Sequence, residues 1–423
     1  MFSNLFKKTT GEYVLIFLIA VIAVIIYYIQ VDYFDNLKKS EPMISINVGG
    51  PTWNRTQCDY SMNQTIIDEL KNNGLVQSDK DWNVYFPCAY DEITKEVNQM
   101  PVVNGGKYFI LENCDEIVAK ELLWKNVVKH YGMEKAKIIM PNSYTLYNID
   151  DIDRFNREFS SDKLYIMKKN IQRQEGLKIT KDKNEILNGY KSDGYVIVQE
   201  LLQDPYLISG RKTNMRFYVL VVCKGDELNV FVYNDGFMYY TKDSFVVSSA
   251  EDGPNITTGY INRQVYDNNP LTHGDLRNYL DDENRKDLLD CEKNIRAQGL
   301  KVSEIYFNRI YHMIREVFIA FSGKLTGEPK SRRFNNTNIQ FQIFGVDVGV
   351  NNQLNPMIIE VNKGPDLGAK DERDSQLKHG VVKDTFKIIG LINGQDYTNT
   401  NFIKVLDVGN GAIITDSVSG CSI

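Results

Sequence analysis

The chain predicts an α/β (α+β) fold: an N-terminal α/β lobe ahead of a larger α/β domain, preceded by a single transmembrane helix. Three observations predict it. Tyr13 to Ile29 is an apolar run without a charge, strand-like and helix-like stretches interleave from about residue 43, and two strand pairs dominate the second half. Those pairs are MRFYVLVVC with LNVFVYN, and FGVDVGV with MIIEV. At 423 residues the chain has length for two or three domains, and 43% hydrophobic with 25% charged content is ordinary for a globular protein. A net charge of -6 argues against a general nucleic-acid binder. Six scattered cysteines without a CxxC pair, and only four histidines, argue against a zinc site or a dense disulfide framework.

The elements divide into a tail (1–12), an anchor (13–30), the α/β lobe (41–110), a catalytic domain (111–395) and a polar C-terminal tail (396–423). YVLIFLIAVIAVIIYYI would rise roughly 25 Å as a helix, near the lower limit for crossing a bilayer. It is long for a signal-peptide core and no small-x-small cleavage pattern follows, so an anchor is expected rather than a cleaved signal. Lys7 and Lys8 balance Lys38 and Lys39, leaving orientation open.

In the lobe, ISINV and WNVYF alternate as strands around a helix from Thr65 to Asn73. Apolar residues at helical spacing then mark Glu116 to Tyr131, and Asp150 to Phe159 is a second helix between strand candidates Ile138–Leu146 and Leu164–Met167. Tyr195 to Gln199 is a strand ahead of the long pair. The charged stretch Asp275 to Lys301 reads as solvated helix, and residues from Asn399 onward as a loosely packed tail.

The terminal hairpin carries the chemistry. Side chains alternate along a strand, so Glu360 and Asn362 project to one side with Ile359 and Val361 on the other, and Asp347 can sit opposite them. Three oxygen-bearing side chains suit magnesium, whose remaining ligands are phosphates and water; a hairpin that merely exposes polar residues is the alternative. No GxxxxGK[ST] phosphate loop exists. Lys168 ends a strand where it can meet phosphate oxygens, with Gly176 in the loop after it. Gln199 and the backbone at Leu201 and Leu202 border a slot that suits a purine. Arg211, Lys212 and Arg216 could hold phosphates or a carboxylate, or form an ordinary basic turn.

From Cys114 to Gly368 the chain resembles the tubulin tyrosine ligase-like family of ATP-grasp ligases. AKELLWKNV is similar to that family's RKD-L-KN helix, YIMKK to WIxKP, and VIVQELLQDPYLISGRKTNMRFYVLV to VVQ-YI-NPLLI-GRKFDLRxYVLV. VFVYNDGFMYYTKDSF is like xYLYRDGFxRxSxxxY, NITTGYINR like HLTNxxIxK, and FQIFGVDVGVNNQLNPMIIEVNKGPDL like FELFGxDxxxDxxxxPWLLEVNxxPSL. The resemblance implies an ATP-grasp fold and a ligase that joins a free amino acid to a protein carboxylate, with ATP and Mg2+ as cofactors. It implies magnesium ligands at Asp347, Glu360 and Asn362. Nucleotide contacts are implied at Lys120, Lys168, Gln199, Glu200, Leu202, Lys212 and Thr257, and catalytic cations at Arg211, Lys212 and Arg216. Tubulin as acceptor is implied by family alone, a monomer is expected, and use of ATP places the bulk of the chain in the cytoplasm. Asn214, Asn234, Asn255 and Thr258 depart from the family pattern. They leave open a nucleotide-binding pseudoenzyme or a ligase acting on a small molecule.

Overall fold

A computed structural model describes residues 51–59, 61–88, 93–171, 176–326, 334–392 and 397–408. In chain order the lobe contributes β1 (Thr52–Arg55), α1 (Gln64–Asn72), β2 (Val76–Gln77), β3 (Val84–Phe86), α2 (Ile93–Gln99) and β4 (Lys107–Tyr108). Next come α3 (Asp115–Val118), α4 (Lys120–Tyr131), α5 (Met133–Ile139), β5 (Ser143–Thr145) and α6 (Ile149–Glu158). They are followed by β6 (Tyr165–Lys168), β7 (Leu177–Thr180), α7 (Lys183–Asp193), β8 (Ile197–Glu200) and β9 (Leu207–Ile208). The long hairpin is β10 (Arg211–Lys224) with β11 (Glu227–Thr241), followed by β12 (Thr257–Thr258), α8 (His273–Asp281), α9 (Asp290–Ala297) and α10 (Val302–Thr326). The chain closes with β13 (Ile339–Val350), β14 (Pro356–Asn362), α11 (Glu372–Ile388) and β15 (Phe402–Val408).

Two sheets organise these elements. The larger has eleven strands in the order β12-β11-β10-β13-β4-β3-β1-β2, with β14 also on β13, β15 on β11 and β9 on β10. β4 is the joint: it runs parallel to both β3 and β13, so the lobe's strands and the long hairpin share one sheet. The smaller sheet, β5-β8-β6-β7, is antiparallel throughout.

Alternation explains what each face buries. On one face of the large sheet, Tyr218, Leu220, Val222, Phe341 and Ile343 pack with α1 and α11 through Ile66, Leu70, Val381 and Phe386. The other face meets α10, where Phe307 lies edge-on to Phe217 and Phe318 tilts against Phe344. In the smaller sheet Tyr165, Met167 and Val198 pack on α6 and α7 through Phe155 and Ile186. That leaves Ile166, Lys168, Ile197 and Gln199 for the opposite face. Gly236 is required where β11 crosses α8, because a Cβ there would run into the Arg216 carbonyl and the ring of the fully buried His273.

Several expectations are corrected. The anchor at 13–30 lies outside the described residues, and among the described residues no helix is long and apolar enough to cross a membrane. The expected transmembrane element of the fold class, and a single-pass membrane location, therefore have no structural support and are not carried further. Cys58 and Cys88 form a disulfide between the loops after β1 and β3. Disulfides are rare in the cytosol, so this bridge runs against the expected cytoplasmic placement. The expected strand Ile138–Leu146 is split between the end of α5 and β5. Asp275–Lys301 is not one solvated helix: α8 and α9 are separate, and the turn between them carries Arg285 onto the fully buried Glu292. Phe402–Val408, expected as loose tail, is a strand paired with β11.

Candidate functional site

Three adjacent strands build the centre of the site. In the register of β10, β13 and β14, Arg216 stands opposite Asp347, and Asp347 opposite Glu360. Directly opposed residues share a face, so the three side chains form one cross-strand row. A register shift after Asp347 makes Ile359 the extra residue on β14, so the residue buried against the core is Ile358 rather than Ile359. Asn362 lies two positions beyond Glu360 and donates from Nδ2 to Glu360 Oε1 at 3.2 Å. Gly345 opposes Asn362, and a Cβ there would come within 3.2 Å of Arg216 Nη1, so the glycine leaves room for the guanidinium.

Arg216 grips Asp347 with two parallel bonds, Nε to Oδ1 at 2.5 Å and Nη2 to Oδ2 at 2.8 Å. This fork geometry is one that arginine provides and lysine does not. Burial pushes the Asp347 carboxyl up to about 6, against the pull of Arg216 and with Glu360 adding to the rise. Burial also opposes ionisation of Glu360, but Lys120, Lys168 and Asn362 hold its carboxyl below the usual range.

The cations come from three elements: β6 of the small sheet, β10 of the large one and the start of α4. Lys168 ends β6 between Leu177 of β7 and Ile197 of β8, and only 5% of it is exposed. Burial pushes its ammonium down to about 8, with Glu360 working in the opposite direction. Lys212 enters on β10, donates to the Leu202 carbonyl at 3.2 Å, and is likewise lowered to about 8 by burial and by Lys168. Lys120 opens α4 and donates from Nζ to the Ile171 carbonyl at 3.1 Å. Gln199 opposes Ile166 and Ser143; its Nε2 donates to Ser143 Oγ at 2.8 Å, while its buried Oε1 meets no donor among the described residues.

Not every expected residue joins this centre. The Glu200 carboxylate is held by Lys163 at 2.8 Å and Asn142 at 3.0 Å. Arg211 donates to the Thr241 carbonyl at 2.8 Å and to the Lys242 carbonyl, and borders a separate cavity with Thr258 and Tyr260. Thr257 sits on β12 opposite Thr241. Asn234 projects to the α10 face, where its Oδ1 accepts from Arg277 and Tyr311, each at 2.8 Å. The arginine that Asn234 replaces in the family pattern is therefore not a loss from the row of Arg216, Asp347 and Glu360. Asn214, by contrast, shares the face of Lys212 and Arg216. Sequence reasoning missed Tyr239, whose ring lies 5.4 Å from the Arg216 guanidinium. The pairing of the long hairpin, which sets Tyr239 opposite Asn214, was the signal that could have found it.

The residues fit a magnesium nucleotide on chemical grounds. Two carboxylates and an amide offer hard oxygens, Lys120 and Lys168 act on Glu360 with Lys212 acting on Lys168, and an orphan buried acceptor at Gln199 can take a purine amino group. Three protein ligands would leave the other positions of an octahedron to phosphate and water.

The profile of the tubulin-tyrosine ligase family matches residues 104–397. The chain belongs to that family. Among curated relatives, tubulin polyglutamylase TTLL7 of Mus musculus is 23% identical over 372 residues, covering 84% of this chain and 38% of its own length. A probable beta-tubulin polyglutamylase of Tetrahymena thermophila is 25% identical over 248 residues, covering 57% of this chain and 20% of the relative. The probable tubulin polyglutamylase ttll-9 of Caenorhabditis elegans is 23% identical over 294 residues, covering 67% of this chain and 65% of the relative. The chain thus spans well under half of the first two relatives. The matched span runs across the residues from Lys120 to Asn362.

Proposed function

We propose that this chain is an ATP-dependent carboxylate–amine ligase that joins an amino acid to a protein carboxylate. Asp347, Glu360 and Asn362 would hold Mg2+; Lys120, Lys168 and Lys212 would hold the phosphates, and Gln199, with the backbone at Leu202, the base. Glu200, Arg211 and Thr257 are engaged elsewhere and carry no part of this reading. The nucleotide, when bound, supplies the phosphoryl group that turns a carboxylate into an acyl-phosphate, which an amine displaces to give an amide and phosphate.

The observation that carries this proposal is the cross-strand row of Arg216, Asp347 and Glu360, with the Lys168 ammonium buried at the end of β6. Burying a lone ammonium is costly, so cations held this way suit an anion that is not part of the protein. Arg216 keeps Asp347 ionised and correctly turned, and Lys212 stays against Leu202 until phosphate competes for it. Positioning and charge are what phosphoryl transfer asks of a protein, so no nucleophile–base pair is needed. The relatives' names make tubulin the first acceptor to test.

The test is ADP release from ATP and Mg2+ with each amino acid, with and without tubulin, for the native chain and Glu360→Gln. Release that needs both an amino acid and an acceptor, and that Glu360→Gln abolishes, supports the ligase. Asn214 stands on the face of Lys212 and Arg216 where the family pattern has aspartate, and it favours a second reading, a nucleotide-binding pseudoenzyme. ATP–Mg binding without turnover under any of these conditions would establish that instead.

A further inference from the structure

The cavity that Arg211 borders lies beside β12, on the other side of the large sheet from Arg216. Register places it there. Thr258 of its wall stands opposite Tyr240, and Tyr240 opposite Thr213, which shares its face of β10 with Met215 and Phe217 rather than with Asn214 and Arg216. The Tyr240 hydroxyl donates to the Pro270 carbonyl at 2.7 Å, which holds the residues just before Pro270 on that same face. The cavity has a volume of about 560 Å³, inside the range of about 300–1,000 Å³ that takes a small molecule.

Amides dominate its wall: Asn262, Gln264, Asn268 and Asn269, all on or beside the 3-10 turn Arg263–Asp267. Asn262 is spent on the turn itself. Its Oδ1 accepts from the Gln264 backbone N–H at 3.0 Å and its Nδ2 donates to Gln264 Oε1 at 3.2 Å. Gln264 Nε2 and the whole Asn268 side chain are left without a protein partner among the described residues. Asn269 donates from Nδ2 to the Val265 carbonyl at 2.7 Å, while its buried Oδ1 meets no donor among the described residues. At the rim the Tyr260 ring is 82% exposed, with Lys370 Nζ 4.2 Å from its centroid. The charges are not arranged for an ion: Arg211 spends Nη1 on the Thr241 and Lys242 carbonyls, and Asp243 stands on the wall beside Lys242.

We infer that this cavity binds a short neutral saccharide. A hydroxyl both donates and accepts, and an amide side chain offers both partners at once. Asn269 Oδ1 would accept from one hydroxyl, and the amides of Asn268 and Gln264 would meet others. The apolar face of a sugar ring would lie against Tyr260, whose ring is apolar and whose tip stays in water. A phosphate or carboxylate would instead face the Asp243 carboxylate and the Asn269 oxygen, neither of which can donate to it. The site stands apart from the nucleotide centre, and its occupancy does not depend on the ligase proposal.

Saturation-transfer NMR on the full chain tests it, with maltose, cellobiose, chitobiose and tetraglycine as probes. At least one of the three disaccharides binds saturably, with Kd on the order of 1 mM or tighter, and tetraglycine binds more weakly by about tenfold or more. Tyr260→Ala weakens the disaccharide by about tenfold, and Asn268→Ala by about threefold to tenfold. Both residues are exposed, and both variants keep the ATP–Mg affinity of the native chain. No saturable signal from any disaccharide, or unchanged disaccharide affinity in both variants, would overturn the assignment. Tetraglycine binding as well as the best sugar would make the amide wall a peptide site instead. A parallel loss of ATP–Mg affinity in the variants would show that the cavity is not separate from the nucleotide centre.

Discussion

Arg216 and Asp347 are bound by two parallel hydrogen bonds across β10 and β13, with both side chains withdrawn from solvent. Removing one member leaves the other as an uncompensated buried charge. Arg216→Ala is therefore expected to cost about 3–5 kcal/mol of stability, measured by urea unfolding. Arg216→Lys restores the charge but not the fork, and should recover only part of the loss. Asp347→Asn in the Arg216→Ala background should cost less than the sum of the two single changes, because the stranded carboxylate is gone.

The pH dependence of nucleotide affinity should be bell-shaped. Lys168 and Lys212 lose their protons near 8 because both are buried, so affinity for ATP–Mg falls as pH rises through that value. Asp347 gains a proton near 6, so affinity also falls below it. Stability without nucleotide moves differently. The folded lysines sit below their unfolded value, so the cost of burying their charge is present below pH 8 and is relieved as pH rises towards 10.5. For Asp347, raised above its unfolded 3.8, stability increases as pH falls from 6 towards that value. Calorimetric affinities and thermal melts from pH 5 to 9.5 check both signs, and a flat affinity profile would count against the lysines as phosphate partners.

Lys168→Met should separate stability from binding. The change removes a buried ammonium but keeps an apolar stem of similar length, so the nucleotide-free protein is expected to gain about 1–3 kcal/mol at neutral pH. ATP–Mg affinity should fall at least about tenfold, the loss of a charge-assisted bond to phosphate. A variant that is both less stable and unchanged in nucleotide binding would show that the lysine is held for packing alone.

Much of the centre was legible because period-two alternation is local. The hairpin FGVDVGV/MIIEV, the strand ending on Lys168 and the faces of Arg216 and Glu360 all follow from it. Register is not local, so the Ile359 bulge and the Arg216–Asp347–Glu360 row required knowing which strands are neighbours. The side to which Asn234 points followed from the same missing register, since a bulge between Phe217 and Val219 shifts the hairpin's pairing there. The long helix α10 is also written in local periodicity. Tyr306, Ile310, Ile314, Phe318, Phe321 and Leu325 recur at three- and four-residue spacing, the period of a buried helical face. The break between α8 and α9 was harder, because charge density alone cannot separate a solvated helix from a turn that buries Glu292 against Arg285.

The segment expected as loose tail gives the last test. Along β15, Val405 is fully buried against the sheet while Ile403 is only half-buried, and Val230 and Phe231 of β11 mark a register shift beside them. A carboxylate at position 405 would be buried with no cation placed for it, since Lys404 is committed to Asp407 at 2.7 Å. Val405→Asp is therefore expected to lower stability by about 3 kcal/mol or more, and Ile403→Asp by clearly less. A strand that packs requires that difference between neighbouring positions. A loose tail would tolerate both changes equally, so equal and small effects in paired urea titrations would return this segment to the status its composition first suggested.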